Sequence, residues 1–168
     1  MIAQLEWKYL MVAIVIIGIG LSACSETADR KPAGVSLADH QAVIATINNV
    51  FGWAVTKDFA LFYRSIANDS NFVSVTPYQR VKFGFEAVRR DSAFWGSPHF
   101  KAIRHELHDL KITFSQGGDV AWFYCVLDDI NTWKDEPANW EKVRWTGVVE
   151  KRQGCWRIVQ QHFSWPKH

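Results

Sequence analysis

Few residues of this chain are of a type and spacing to do chemistry, and most of them stand in its last two dozen positions. If residues 155–165 form a strand, alternate side chains share a face. Ile158, Gln160, His162 and Ser164 are then grouped together. The run before it, 140–152, reaches them across a hairpin at Arg152-Gln153-Gly154. A three-residue loop leaves only Gly154 in the left-handed region and makes a bulge. It sets Ile158 opposite Val148, Gln160 opposite Thr146 and His162 opposite Arg144. A two-residue turn would need Gln153 at positive φ, which Gln disfavours; it would change the partners and leave the face intact. That face runs from apolar Val148 and Ile158 to polar Arg144, Thr146, Gln160, His162 and Ser164, the gradient of a pocket with an apolar floor and a few orienting groups. His162 titrates near neutrality and is the candidate for acid–base catalysis, or else a buried histidine bonded to a neighbour. Arg144 suits a carboxylate or other anion, or a surface ion pair.

Other constellations are weaker. Asp128 and Asp129 alternate across a strand, so at most one faces any pocket and paired-carboxylate chemistry has little support. His105 and His108, an odd number apart on a strand, point to opposite faces and do not chelate as a pair. No HExxH, P-loop, GxGxxG or GxSxG pattern is present. Neither a metal nor a nucleotide cofactor is expected. Trp53, Tyr63 and Trp122, with Trp95, Tyr124 and Trp145, could line a hydrophobic ligand site or simply fill a small core.

These residues need a scaffold. The chain has 168 residues, enough for one ordinary domain. Its 19 Lys+Arg nearly balance 17 Asp+Glu, and no basic stripe marks a nucleic-acid surface. Ser36 and Asp39 form a capping pair, after which Val43, Ile44, Ile47, Val50, Phe51, Ala54 and Val55 recur on one helical face. Asp58 is placed to cap a second helix over 59–66. A short hairpin over 71–76 and 80–83 follows, then a third helix over 85–95. Four long stretches rich in aromatic and β-branched residues come next (100–114, 120–133, 140–152 and 155–165), separated by turn signals. Helices first and long strands after predict an α+β plan, with helices covering one face of a curved sheet.

Tyr9 to Leu21 is uncharged and apolar but shorter than a spanning helix requires. It leads into Leu21-Ser22-Ala23-Cys24, which resembles the lipobox of bacterial lipoproteins. That resemblance implies a signal peptide over 1–23 and a lipidated Cys24. Residues 24–36 are then a flexible tether. Ser25 rather than Asp after the cysteine implies the outer membrane, facing the periplasm.

Val120-Ala121-Trp122 and the closing run from Thr146 to Pro166 resemble the SnoaL-like branch of the nuclear-transport-factor-2-like superfamily, over residues 37–166. The resemblance implies a cone: about six bent strands wrapped around three helices, with a pocket at the open end. It also implies a strand between those of Cys125 and Cys155, holding the two too far apart to bridge. It does not fix one activity. Three readings follow: a lipid-anchored domain binding a small, partly apolar ligand, neutral or anionic; an isomerase, dehydratase or cyclase using His162; and an interaction module. A homodimer is expected through the outer sheet face, with Val143, Trp145, Phe163 and Trp165 supplying the apolar surface.

Overall fold

The computed structural model describes residues 34–166. The expected signal peptide, lipobox and Cys24 lie outside the described residues, as does most of the tether. Helix α1, Leu37–Thr56, starts at Ser36, whose Oγ accepts the Asp39 backbone N–H at 3.0 Å. Val43, Ile47, Val50 and Ala54 form its buried stripe, joined by Thr46 and Trp53. The Asp39 carboxylate accepts from Lys151 Nζ at 2.6 Å and Trp156 Nε1 at 3.1 Å, pinning the helix start to the last hairpin. Those bonds and that of Ser36 hold the carboxyl far below the usual range. Helix α2, Phe59–Ser65, is capped by Asp58, and Arg157 Nη1 donates to its last carbonyls, 3.2 Å from that of Arg64.

Strands β1 (Val73–Val75) and β2 (Val81–Phe83) form the short hairpin. The helix expected over 85–95 is two: α3, Phe85–Arg89, and α4, Ser92–Gly96. Asp91, at the break, turns its carboxylate to Lys82 rather than to the helix N-terminus. The long strands are β3 (Phe100–Phe114), β4 (Val120–Trp133), β6 (Trp140–Arg152) and β7 (Cys155–Ser164); a two-residue β5, Glu136–Pro137, pairs with β4. The sheet runs β2-β1-β7-β6-β4-β3. Every neighbouring pair is antiparallel except β1 and β7, which are parallel. The helices fill the concave side, and the core between them holds Ile47, Phe72, Leu127, Trp145, Val149 and Ile158, none more than 1% exposed. The predicted α+β cone is the observed fold.

The last hairpin differs from expectation in two ways. Its loop has two residues, with Gln153 at φ 51° and Gly154 at φ 81°, so that Arg152 faces Cys155. Pairing then proceeds regularly to Val149 opposite Ile158, but the next pair is Val148 with Gln160. Val159 is an extra residue, a β-bulge, and it inverts the alternation of everything after it. Trp156 and Ile158 point inward before the bulge, Gln161 and Phe163 after it, and His162 is turned out. The expected pairs Ile158–Val148, Gln160–Thr146 and His162–Arg144 are replaced by Gln160–Val148, His162–Thr146 and Ser164–Arg144. The face proposed from simple alternation is therefore split between the two sides of the sheet.

Candidate functional site

A cavity of about 750 Å³ lies between the helices and the concave sheet face. Its wall is aromatic: Trp53 stacks on Phe62 with centroids 4.9 Å apart, and both meet the edge of Trp95. Phe100, Trp140 and Phe163 line it from the sheet. Apolar walls on this scale lower the local dielectric and strengthen electrostatic interactions at the buried end of the cavity.

Two polar groups interrupt the wall. The first comes from β4, where Phe123, Cys125 and Leu127 set the inward phase and Asp129 and Asn131 continue it. Asn131 Nδ2 donates to Asp129 Oδ2 at 2.8 Å, and the Asn131 backbone N–H donates to Asn139 Oδ1 at 3.0 Å. Burial pushes the Asp129 carboxyl up to about 6, opposed only by the Asn131 bond. Asn131 Oδ1 and Gln161 Oε1 are buried acceptors without a partner among the described residues. The second group runs across three strands in register, Lys82 (β2), Ser74 (β1) and Gln161 (β7). Gln161 Nε2 donates to Ser74 Oγ at 3.1 Å, while Lys82 forms an ion pair with Asp91 beside the Trp95 ring. A protonatable carboxyl near neutrality in such surroundings can take a proton from, or return one to, a bound molecule.

Of the residues expected to build the pocket, Trp53 lines this cavity. Tyr63 packs instead on Phe59, Phe62 and Phe85. Trp122, Thr146 and Gln160 line a separate hollow of about 450 Å³ on the outer sheet face, with Tyr124, Lys111 and Thr113. His162 and Arg144 are exposed on that outer face, Arg144 donating to the Trp165 carbonyl at 2.8 Å. Ser164 is half-buried outside the cavity wall. Asp129 was one of two carboxylates left open by the sequence; the buried phase of β4 is the signal that selects it. Asn131, Gln161, Lys82 and Asp91 were missed, because an isolated amide or a short hairpin carries no signal of its own.

The apolar surface expected on the outer face is likewise corrected. Val143, Trp145 and Phe163 are core residues, with Trp145 and Phe163 stacked 5.3 Å apart. Trp122, Tyr124 and Ile103 are exposed instead. His105 and His108 do point apart: His105 packs against Phe51, its pKa lowered by burial, and His108 lies outside. On the outer face Glu106, His108 and Asp128 bring possible ligand atoms within 4.8 Å of one another. They are held by their own pairings, His108 to Asp128 at 3.1 Å and Arg104 to Glu106, with Asp128 also accepting the Lys142 N–H. Cys125 is buried and Cys155 exposed, both free, on β4 and β7 with β6 between them.

Solved structures share the cone. A nuclear-transport-factor-2-like protein of unknown function from Pseudomonas putida superposes with a TM-score of 0.61 at 18% identity, covering 80% of this chain and 92% of its own. A proposed dehydratase of the same family from Streptomyces avermitilis gives 0.62 at 17%, covering 78% and 98%. A proposed calcium/calmodulin-dependent kinase II association domain from Exiguobacterium sibiricum gives 0.63 at 9%, covering 79% and 97%. At these identities the likeness is one of fold. No functionally curated protein matches the chain. Residues 43–168, most of the chain and all four long strands, match the family model described as a SnoaL-like domain, and the chain belongs to that family.

Proposed function

We propose that the cone cavity binds a small, mainly apolar molecule and that Asp129 exchanges a proton with it. The observation that carries this reading is a buried carboxyl, raised to about 6, facing an aromatic cavity of about 750 Å³. Isomerisation and dehydration next to a carbonyl both begin by moving one proton, and a base of this strength in apolar surroundings is suited to it. The likeness to a proposed dehydratase agrees with this chemistry. Asp129 replaces His162 in the role, since His162 faces the other side of the sheet.

Exchange of the α-protons of 6-hydroxy-2-decalone, which carries both a carbonyl and a hydroxyl, in D2O, followed by NMR, tests the reading. Wild type should accelerate the exchange and Asp129→Asn should not. Equal rates would remove the proton-transfer step. Binding alone is checked by thermal shift with the same ketone against Ala138→Trp, which places an indole in the cavity lined by Ala138; stabilisation in wild type should vanish in the variant.

We propose further that the domain is held at a bacterial membrane by lipid on Cys24, a reading supported by Leu21-Ser22-Ala23-Cys24. Replacing Cys24 by Ser should release the protein on fractionation, and unchanged mass and retention would refute it. The exposed Trp122 and Tyr124 favour a pairing of copies through the outer sheet face, which sedimentation of wild type and Trp122→Ser would check.

A further inference from the structure

The wall of the cavity also bears on what kind of head group it takes, an inference that rests on the cavity being a ligand site. Asn131 is 4% exposed and Gln161 7%, and both line the cavity. The Asn131 amide orientation is fixed, because its Nδ2 donates both to Asp129 Oδ2 at 2.8 Å and to the Asp129 carbonyl at 3.2 Å. Its Oδ1 is left as a bare acceptor, and so is Gln161 Oε1, whose Nε2 is given to Ser74. Buried acceptors are seldom left unsatisfied. Beside Asn131 stands the Asp129 carboxylate, a third set of acceptor oxygens. The cations that line the cavity do not offset them: Lys82 is taken by Asp91, and Arg80 stands exposed at the rim.

We propose that the ligand's polar end donates hydrogen bonds, through a hydroxyl or N–H, to Asn131 Oδ1 and its neighbouring oxygens, and that it carries no negative charge. A carboxylate or phosphate at Asn131 would meet the Asn131 amide oxygen and the Asp129 carboxylate, while Asn131 Nδ2, the donor beside them, is already given to Asp129. This departs from the anionic ligand that Arg144 suggests from sequence, since Arg144 is on the outer face.

The test measures Kd by calorimetry, on the full-length chain at pH 7.5, for three compounds that share one bicyclic body. These are 2-naphthylmethanol, 2-(methoxymethyl)naphthalene and 2-naphthoate. The alcohol should bind about tenfold or more tightly than the ether, which has lost the donor, and than the anion. In Asn131→Leu, which keeps the volume and removes the acceptor, the alcohol should lose its advantage over the ether. If naphthoate binds as well as the alcohol, or if ether and alcohol are equal, the head-group inference is overturned while the cavity stands. If none of the three binds, the cavity reading itself falls. An advantage retained in Asn131→Leu removes Asn131 from the contact and overturns the assignment. Should that variant fail to fold, the wild-type order still decides.

Discussion

Asn131 donates to Asp129 across 2.8 Å, and no other side chain among the described residues donates to that carboxyl. One neutral donor is too little to offset burial, so the charged form of Asp129 is the one the fold resists.

The consequence for stability has a definite sign. Asp129 titrates near 3.9 in an unfolded chain and at about 6 in the folded one. The folded state therefore holds the proton more tightly, and the stability linked to this group is full below about pH 4 and lost as pH rises through about 6. Asp129→Asn abolishes that loss. The variant should be more stable than wild type at pH 8, by up to about 3 kcal/mol, and the difference should shrink towards pH 4. Urea midpoints across this range measure it. Parallel curves for the two proteins would show that Asp129 is solvated.

The bulge at Val159 makes a second prediction. His162→Ala and Arg144→Ala, on the outer face, should change stability by no more than about 0.5 kcal/mol and leave cavity binding intact. Phe163→Ala, one residue along β7 and 4% exposed between Trp140 and Trp145, should cost about 3–5 kcal/mol. A large loss from His162→Ala with little from Phe163→Ala would place the bulge elsewhere.

That bulge also marks the limit of what the chain discloses. The spacing of Val43, Ile47, Val50 and Ala54 and the aromatic texture of the long strands are repeated signals, each residue reinforcing the next. Helix α1 and strands β3, β4 and β6 accordingly lie where the sequence puts them. A single inserted residue is not repeated. Period-two reasoning carries Ile158 to Ser164 along one face, whereas Val159 exchanges the faces halfway. Gln161, which lines the cavity from β7, lies beyond that exchange, so simple alternation picks its neighbour His162 instead, one residue away. Strand β4 keeps its own alternation to Asp129, the extra residues in its ladders lying on β3 and β6, and there the phase of Phe123, Cys125 and Leu127 would have sufficed.

The two described cysteines should react very differently. Cys125 is fully buried and its thiol is pushed up to about 12, so almost no thiolate forms at neutral pH. Cys155 is exposed beside the hairpin turn. Maleimide labelling followed by peptide mapping should modify Cys155 within minutes and Cys125 only after denaturation. Peptides from unreduced protein should lack a Cys125–Cys155 link. Finding that link would contradict the strand order, because β6 separates the two strands.

Gly147 links the bulge to the core. It lies on the inner side of β6, between Phe123 on β4 and Gln161 on β7. A Cβ added there would come 2.6 Å from Phe123 Cε1 and 2.8 Å from the Gln160 carbonyl oxygen. The Phe123 ring occupies the space a side chain would take, and its far side meets Trp145 at 4.9 Å and 87°. Relief in one direction therefore presses on Trp145, which has no exposed surface. Relief in the other moves the backbone next to Val159 and with it Gln161, a cavity residue. Gly147→Ala should cost about 1–3 kcal/mol by overpacking and weaken cavity binding together with stability. Val148→Ala, next door and half-buried, should cost less and leave binding unchanged. A Gly147→Ala protein as stable as wild type would mean that the backbone at the bulge gives way freely, and binding would then report how far Gln161 had moved.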